Sequence, residues 1–175
     1  MIKFIVHQFQ PSTTLFHAKH TLSVGALEST NRLSIAKQST MTEPVVLVDG
    51  DPSKCLSHVL ANSNQGDIDD VIATIDKYCW EVEWHMNIGD VKGAFLDRFL
   101  LEKKPQKALE LGSYLGYSGL RIARLLPPGG KLNTIELNEE HAAIARQVYQ
   151  HAGVHDRVTL IQGDSRDAIE SMRKG

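Results

Sequence analysis

Apolar residues recur at helical spacing in the second quarter of the chain. Positions 68, 71, 72, 75 and 79 carry Ile, Val, Ile, Ile and Cys, which places them on one face of a helix. Asp67 stands directly before this stripe as a candidate N-cap, and two further acids in the first turn favour the positive end of the helix dipole. Asp51-Pro52 predicts an earlier helix start, with that helix running to about residue 61.

A third helix is predicted over residues 90–104, because Pro105 stops it. We expect four of its apolar side chains to be buried: Val91, Phe95, Leu96 and Phe99.

Beyond Pro105 the pattern changes to short apolar runs that alternate with helical stripes. Strands are predicted at Lys107–Leu111, Lys131–Glu136 and residues 158–161, each followed by a helix. Three successive βα units are typical of a parallel sheet covered by helices. The sequence therefore predicts an α/β fold of the Rossmann type, with helices in front of the sheet. On this reading the strand at Lys107–Leu111 would keep a bare edge.

The N-terminal residues differ from the rest. Residues 1–40 are rich in Ser and Thr and contain a single acid, Glu28. They show no stripe that could join a core, so we expect residues 1–45 to be a disordered leader or a transit-like extension, dispensable for folding. The domain proper is predicted over residues 46–175.

Composition narrows the function classes. With 42% hydrophobic and 23% charged residues the chain is an ordinary globular one, and a net charge of -2 gives no bulk attraction to nucleic acid. No apolar run is long enough to span a bilayer. The two cysteines form no recognisable framework, which favours a reducing compartment.

Candidate site residues cluster where the predicted strands end. The first βα turn reads G-x-x-x-G from Gly112 to Gly116, with Tyr114 in place of the second glycine of a dinucleotide fingerprint. Glu136 ends the second strand, where a carboxylate can accept hydrogen bonds from ribose hydroxyls. Ser165 follows the third strand, where either it or Asp164 could simply cap the last helix. An ordinary tight turn and a solvated strand-end acid remain open alternatives for this loop and for Glu136.

A second motif, WHMNIGDVKG at residues 84–93, is not explained by periodicity. Trp80 and Trp84 are spaced for one helix face, so by default they are core residues. His85 alone is more often a surface or packed histidine than a catalyst.

Together these residues resemble the catechol O-methyltransferase family. The stretch 84–93 is similar to the segment before that family's core sheet, and ALELGSYLGYS at residues 108–118 resembles its cofactor loop. The resemblance extends from about residue 53 to the C-terminus. It implies a Rossmann-like S-adenosylmethionine-dependent methyltransferase fold, truncated after the third βα unit.

The resemblance also implies residue roles. Ile88 and Gly112 would approach S-adenosylmethionine by their backbones, while Glu110, Tyr114 and Ser118 would surround its methionine end. Glu136 would hold the ribose, Leu137 would lie against the adenine, and Ser165 would be near that ring. Trp84 and Met86 would lie beside a small catechol substrate. Asp164 and Arg166 depart from the family's pattern at the adenine.

The family's reaction uses a bound Mg²⁺ and a lysine base, and their residues follow the fourth and fifth strands. We therefore assign no catalytic and no metal-binding residue in this chain, and expect residues 1–175 alone to be inactive. The alternatives are a nonenzymatic cofactor-binding fragment or interaction module and, less favoured by the glycine spacing, a nicotinamide-dependent oxidoreductase. A cytoplasmic location is expected, or a mitochondrial one if the leader is a transit peptide. The sequence leaves the oligomeric state open.

Overall fold

The computed structural model describes residues 3–7 and 49–174. Within them, four strands form one sheet in the order β1-β2-β3-β4, accompanied by six helices. The strands are β1 (Lys3–His7), β2 (Lys107–Leu111), β3 (Lys131–Glu136) and β4 (Val158–Gln162). The helices are α1 (Pro52–Asn62), α2 (Ile68–Glu81), α3 (Gly89–Lys103), α4 (Tyr117–Leu125), α5 (Glu139–His151) and α6 (Ser165–Lys174). No helix in these described ranges is both long and apolar enough to cross a bilayer.

Three helices begin at side-chain caps, and two of these caps, Asp51 and Asp67, are the predicted ones. Asp51 accepts a hydrogen bond from Ser53 N, Asp67 from Asp70 N, and Asn138 from His141 N. Each cap satisfies an amide that the first helical turn leaves without a partner. The starts of these helices are therefore fixed by local sequence.

Strands β2, β3 and β4 are parallel, as predicted from the alternating βα pattern. Leu109 pairs with Asn133, and Asn133 with Thr159, so the carboxyl ends of all three strands meet at one edge. Helices α4 and α5 pack on this sheet and bury a core that includes Leu120, Leu132 and Ala145. The predicted α/β architecture is confirmed.

The edge of β2 differs from expectation. Lys3–His7 pairs with it antiparallel, from Lys3 opposite Leu111 to His7 opposite Lys107. Phe4, Ile5 and Val6 are residue types that favour strands. The expectation of a bare edge is therefore wrong, as is that of a structureless N-terminus for these five residues. Residues 8–48, which hold the rest of the predicted leader, lie outside the described residues.

Helix α3 buries a different face from the predicted one, and the two faces share only Leu96. Leu96 is buried as expected, but Val91, Phe95 and Phe99 are exposed at 65%, 68% and 42%. The buried face consists instead of Gly93, Leu96 and Leu100. The prediction for the three exposed side chains is wrong because α3 packs against α4 through its glycine-bearing face.

A charged contact fixes that orientation. Arg121 of α4 donates from Nε and Nη2 to the two carboxylate oxygens of Asp97, at 3.1 and 2.6 Å. A Cβ on Gly93 would lie 2.5 Å from the Arg121 guanidinium carbon, so only glycine leaves room for this pair. Arg124 adds a 2.7 Å contact to the same carboxylate. Buried charges require such pairing, and it sets the rotation of α3 on α4.

Candidate functional site

The glycine loop between β2 and α4 turns through three residues with positive φ angles. Gly112 and Gly116 have φ angles of 92° and 82°, and Tyr114 itself is left-handed at 48°. A Cβ on Gly112 would meet no atom within 4 Å, so open space lies over its backbone. A Cβ on Gly116 would lie 3.0 Å from the Tyr149 ring, a tight contact, and its positive φ favours glycine independently of packing. Gly66 and Gly129, which lie in other turns, have the same open space, so the tight-turn alternative remains open for this loop.

Glu136 stands beside this loop and binds it. Its Oε2 accepts hydrogen bonds from the amides of Ser113 and Tyr114, both at 2.9 Å, and its Oε1 accepts one from Asn138 N at 2.9 Å. The side chain is 8% exposed, which excludes the alternative of a solvated strand-end acid. A carboxylate can accept about four hydrogen bonds, so the three backbone amides leave Glu136 room for about one more. Any ribose hydroxyl would share this carboxylate with the loop amides.

Glu110 and Ser118 are brought together below the loop. Ser118 Oγ donates to one oxygen of Glu110 at 2.5 Å, and Thr134 Oγ1 donates to the other at 2.6 Å. Glu110 is fully buried, and desolvation raises its pKa to about 7 although both hydroxyls oppose that rise. Ser118 thus contacts Glu110 instead of facing an open surface. The pair can respond to a cation, since a nearby positive charge would favour the ionised carboxylate.

Tyr149 of α5 also lies in this region, although its position in the sequence did not single it out. Its hydroxyl is buried against Gly116 and Gly119, on the side of the Thr134 and Ser113 hydroxyls. Burial raises its pKa well above the ordinary value. The only sequence signal was Gly119, an unfavourable residue inside a helix, which here makes room for the tyrosine ring.

The ends of β3 and β4 form the other side of the candidate site. Gly163 N donates to Glu136 O at 2.8 Å, which joins the two strand ends, and Leu137 is 69% exposed beside them. Asp164 accepts hydrogen bonds from the backbone and side chain of Arg166, so it is Asp164 that caps α6. The Arg166 guanidinium lowers the pKa of Asp164 to about 2. Ser165, the predicted adenine neighbour, is the first residue of α6.

Residues 84–88 lie between α2 and α3, and Gly89 begins α3. Trp84 and Met86 are 42% and 55% exposed, while His85 between them is buried. The alternative that Trp80 and Trp84 are core residues is wrong, since both are exposed. Ile88 is half-buried directly before α3. Asp49 Oδ1 accepts a 2.9 Å hydrogen bond from Met86 N, and Tyr114 Oη donates to the same carboxylate. This segment and the glycine loop therefore meet at Asp49.

The described residues contain no group of three or more His, Cys, Asp or Glu side chains that could hold a metal ion. The acids of the site, Glu110 and Glu136, are engaged by hydroxyls and amides. These residues do not fit a Mg²⁺ site, and no reaction step is assigned to that ion.

The chain resembles known methyltransferases in sequence and in fold. It is 49% identical over 123 residues to catechol O-methyltransferase B of Danio rerio, covering 70% of this chain and 47% of that protein. It is 46% identical to catechol O-methyltransferase of Mus musculus, covering 69% and 46% respectively. The structure of an O-methyltransferase from Bacillus cereus in complex with SAH matches with a TM-score of 0.52 and 28% identity, covering 74% of this chain and 51% of that one. The chain thus spans about half the length of the curated relatives it matches.

The profile of a single family matches residues 69–175, which is more than half of the chain. Its description is O-methyltransferase, and the matched range includes both the segment 84–89 and the glycine loop. The chain belongs to the O-methyltransferase family.

Proposed function

We propose that this chain binds S-adenosylmethionine at the carboxyl ends of β2, β3 and β4, as the cofactor-binding part of an enzyme that methylates a catechol hydroxyl. The observation that carries the proposal is the open backbone at Gly112 beside the Glu136 carboxylate. The names of the relatives support the substrate class, and the SAH complex of the Bacillus cereus enzyme supports the cofactor class.

The residues present fit such a cofactor. Glu136 offers the carboxylate that ribose hydroxyls need, and the exposed Leu137 offers an apolar side chain to an adenine ring. The hydroxyl of Tyr149 and the carboxyl of Glu110 are buried polar groups behind the loop. When bound, the cofactor supplies a methyl group activated on a sulfonium. Glu110 would favour the cationic methionine end once ionised, and Ser118 would orient that carboxyl.

The substrate side of the proposal rests on residues 84–89. Trp84 and Met86 present exposed apolar side chains that can pack against an aromatic diol. No catalytic role is assigned to any described residue. A Mg²⁺ requirement and a cytoplasmic location stay predictions.

The experiment is calorimetric titration of the protein with S-adenosylmethionine, S-adenosylhomocysteine and, as a control for the oxidoreductase alternative, NAD⁺. We expect both sulfur-containing nucleosides to bind and NAD⁺ not to bind. Binding of NAD⁺ alone would contradict the proposal. Methyl transfer from labelled cofactor to a simple catechol, with and without Mg²⁺, should not occur with residues 1–175 alone, and turnover would contradict the expectation that this part of the enzyme is inactive by itself.

Glu136→Ala should weaken S-adenosylhomocysteine binding by roughly 1–3 kcal/mol, because the ribose hydroxyls lose their acceptor. Glu136 also binds two loop amides, so its removal could weaken binding by disturbing the loop alone. A thermodynamic cycle that varies both the protein and the ribose hydroxyls of the ligand separates the two causes. A ribose-deoxy analogue should bind the variant and the unaltered protein with nearly equal affinity. Glu140→Ala, an exposed acid on α5, is the matched control. Full additivity in the cycle would mean that the ribose lies elsewhere.

A further inference from the structure

Tyr114 links two parts of the candidate site. Its backbone lies in the glycine loop, where its amide donates to Glu136, and its left-handed φ of 48° is unusual for a residue with a side chain. Its hydroxyl reaches out of the loop and lies 2.9 Å from both carboxylate oxygens of Asp49 and 3.0 Å from His85 Nδ1. One side chain thus joins the cofactor loop to the segment that carries Trp84 and Met86.

His85 is held in place from both sides. Trp84 and Met86 are exposed, whereas His85 between them is only 2% exposed. Its ring lies 5.7 Å from the Tyr78 ring at a 30° angle and 6.2 Å from the Tyr114 ring. Gly50 allows this packing, since a Cβ there would lie 2.7 Å from His85 Cε1.

The hydrogen bonds determine the tautomer. Burial and then the Asp49 carboxylate raise the pKa of Tyr114 well above its ordinary value, so the hydroxyl keeps its proton and donates it to Asp49. Tyr114 Oη must then accept from His85, which places the imidazole proton on Nδ1. His85 Nε2 is left as a buried lone pair with no hydrogen-bond partner among residues 49–174, and Glu83 Oε2 lies 3.9 Å away.

We propose that His85, together with Asp49, is a positioning residue that fixes the Tyr114 side chain and thereby couples residues 84–89 to the cofactor loop at residues 112–116. The proposal deepens the function proposed above and rests on it, because it assigns to this contact the task of setting the loop for the cofactor. His85 acts through Tyr114 and has no chemical role of its own.

The charge of His85 offers a way to observe this coupling. Burial lowers the pKa of His85, and the nearby carboxylates of Asp49, Glu83 and Asp51 oppose that shift. The other titratable groups that face the ring are the phenols of Tyr78 and Tyr114. At neutral pH the ring is therefore neutral, and protonation at lower pH adds a proton on Nε2 that faces Glu83. Tyr114 transmits that change to the loop amides.

The test is an NMR pH titration of the intact chain, with histidine ring nitrogens and backbone amides observed together. In the unaltered protein we expect the Nδ1–H tautomer at His85, and loop amides that shift with the same midpoint as the ring. Tyr114→Phe should abolish the tautomer preference. A His85 found as the Nε2–H tautomer, or loop amides that do not follow its titration, would overturn the proposal without any variant being required.

Two substitutions at one position then separate positioning from mere packing. In His85→Asn the side-chain amide lies near the position that Nδ1 occupies in histidine, so a donor to Tyr114 is kept. In His85→Gln the amide lies near the position of Nε2, so that donor is lost. We expect His85→Gln to weaken S-adenosylhomocysteine binding on the order of fivefold, the effect of one lost hydrogen bond, and His85→Asn to stay within about twofold. His155→Asn, an exposed histidine, is the matched control. Equal losses in both variants would contradict a positioning role.

Failure of the proposed function has a different signature. If the unaltered protein binds neither sulfur-containing nucleoside, the function is wrong, whereas the His85 tautomer and the loop titration are measured without ligand. If the nucleosides bind and the loop does not follow His85, only the positioning role is wrong.

Discussion

Two glutamates of the same strand-end region differ in chemistry because of their immediate surroundings. Glu136 accepts three backbone amides, which is a setting for a carboxylate anion. Glu110 is fully buried with only hydroxyl donors, and desolvation raises its pKa to about 7. The charge of Glu110 is therefore adjustable near neutral pH.

This difference predicts how stability depends on pH. The pKa of Glu110 in the folded protein is raised from 4.5 to about 7. Its protonation therefore contributes to the free energy of unfolding fully below pH 4.5, and this contribution is lost as the pH rises through 7. Glu110→Gln mimics the protonated form and should remove this dependence. At pH 8 we expect the variant to exceed the unaltered protein by roughly 1–3 kcal/mol in free energy of unfolding.

Urea unfolding of both proteins at pH 5 and pH 8 gives this comparison, with Glu140→Gln as the exposed control on α5. The relevant quantity is how the stability difference between variant and unaltered protein changes from pH 5 to pH 8. The lowered pKa of His85 makes the stability of both proteins depend on pH with the opposite sign, and this contribution cancels in the difference. A difference independent of pH would show that Glu110 is ionised in the folded protein throughout.

At the scale of elements, local signals located the helices and strands well. Asp51 and Asp67 cap where the sequence predicted, because capping depends only on neighbouring residues. The positions of Gly112 and Glu136 followed from strand ends for the same reason. Their hydrogen-bond partners could not be predicted, because Glu136 binds amides 22 and 23 residues away.

Helix α3 shows where local pattern is insufficient. Its apolar residues occupy more than one face, so periodicity alone cannot select the buried one. The Arg121–Asp97 contact, formed between residues 24 apart, makes the selection. His85 was likewise missed as a site residue, since its partners Asp49 and Tyr114 are distant in sequence.

The orientation of α3 can be tested by paired substitutions. Leu100 is fully buried and Leu96 nearly so, and alanine at either should lower the free energy of unfolding by about 2–5 kcal/mol. Phe95→Ala and Phe99→Ala remove larger side chains from exposed positions and should each cost less than about 1 kcal/mol. Chemical denaturation measures all four. Larger losses at the phenylalanines than at the leucines would restore the face first predicted from the sequence.

At the scale of the whole molecule, the sheet joins residues from opposite ends of the described chain. The parallel strands β2 to β4 follow one another in sequence, whereas β1 comes from residues 3–7 and closes the edge of β2. An uncovered strand edge presents unpaired amide and carbonyl groups to other chains. The N-terminal strand therefore protects the sheet that carries both glutamates.

Replacing residues 3–7 with a glycine–serine segment of the same length should uncover this edge. We expect a lower melting temperature, by about 2–4 °C for each kcal/mol of lost pairing, and concentration-dependent association in sedimentation experiments. A control segment of alternating threonine and valine keeps strand propensity and should preserve both the melting temperature and the sedimentation behaviour. If the two replacements behave alike and match the unaltered protein, pairing of residues 3–7 with Lys107–Leu111 contributes nothing to the fold, and the dispensable leader predicted from the sequence would extend to the first residue.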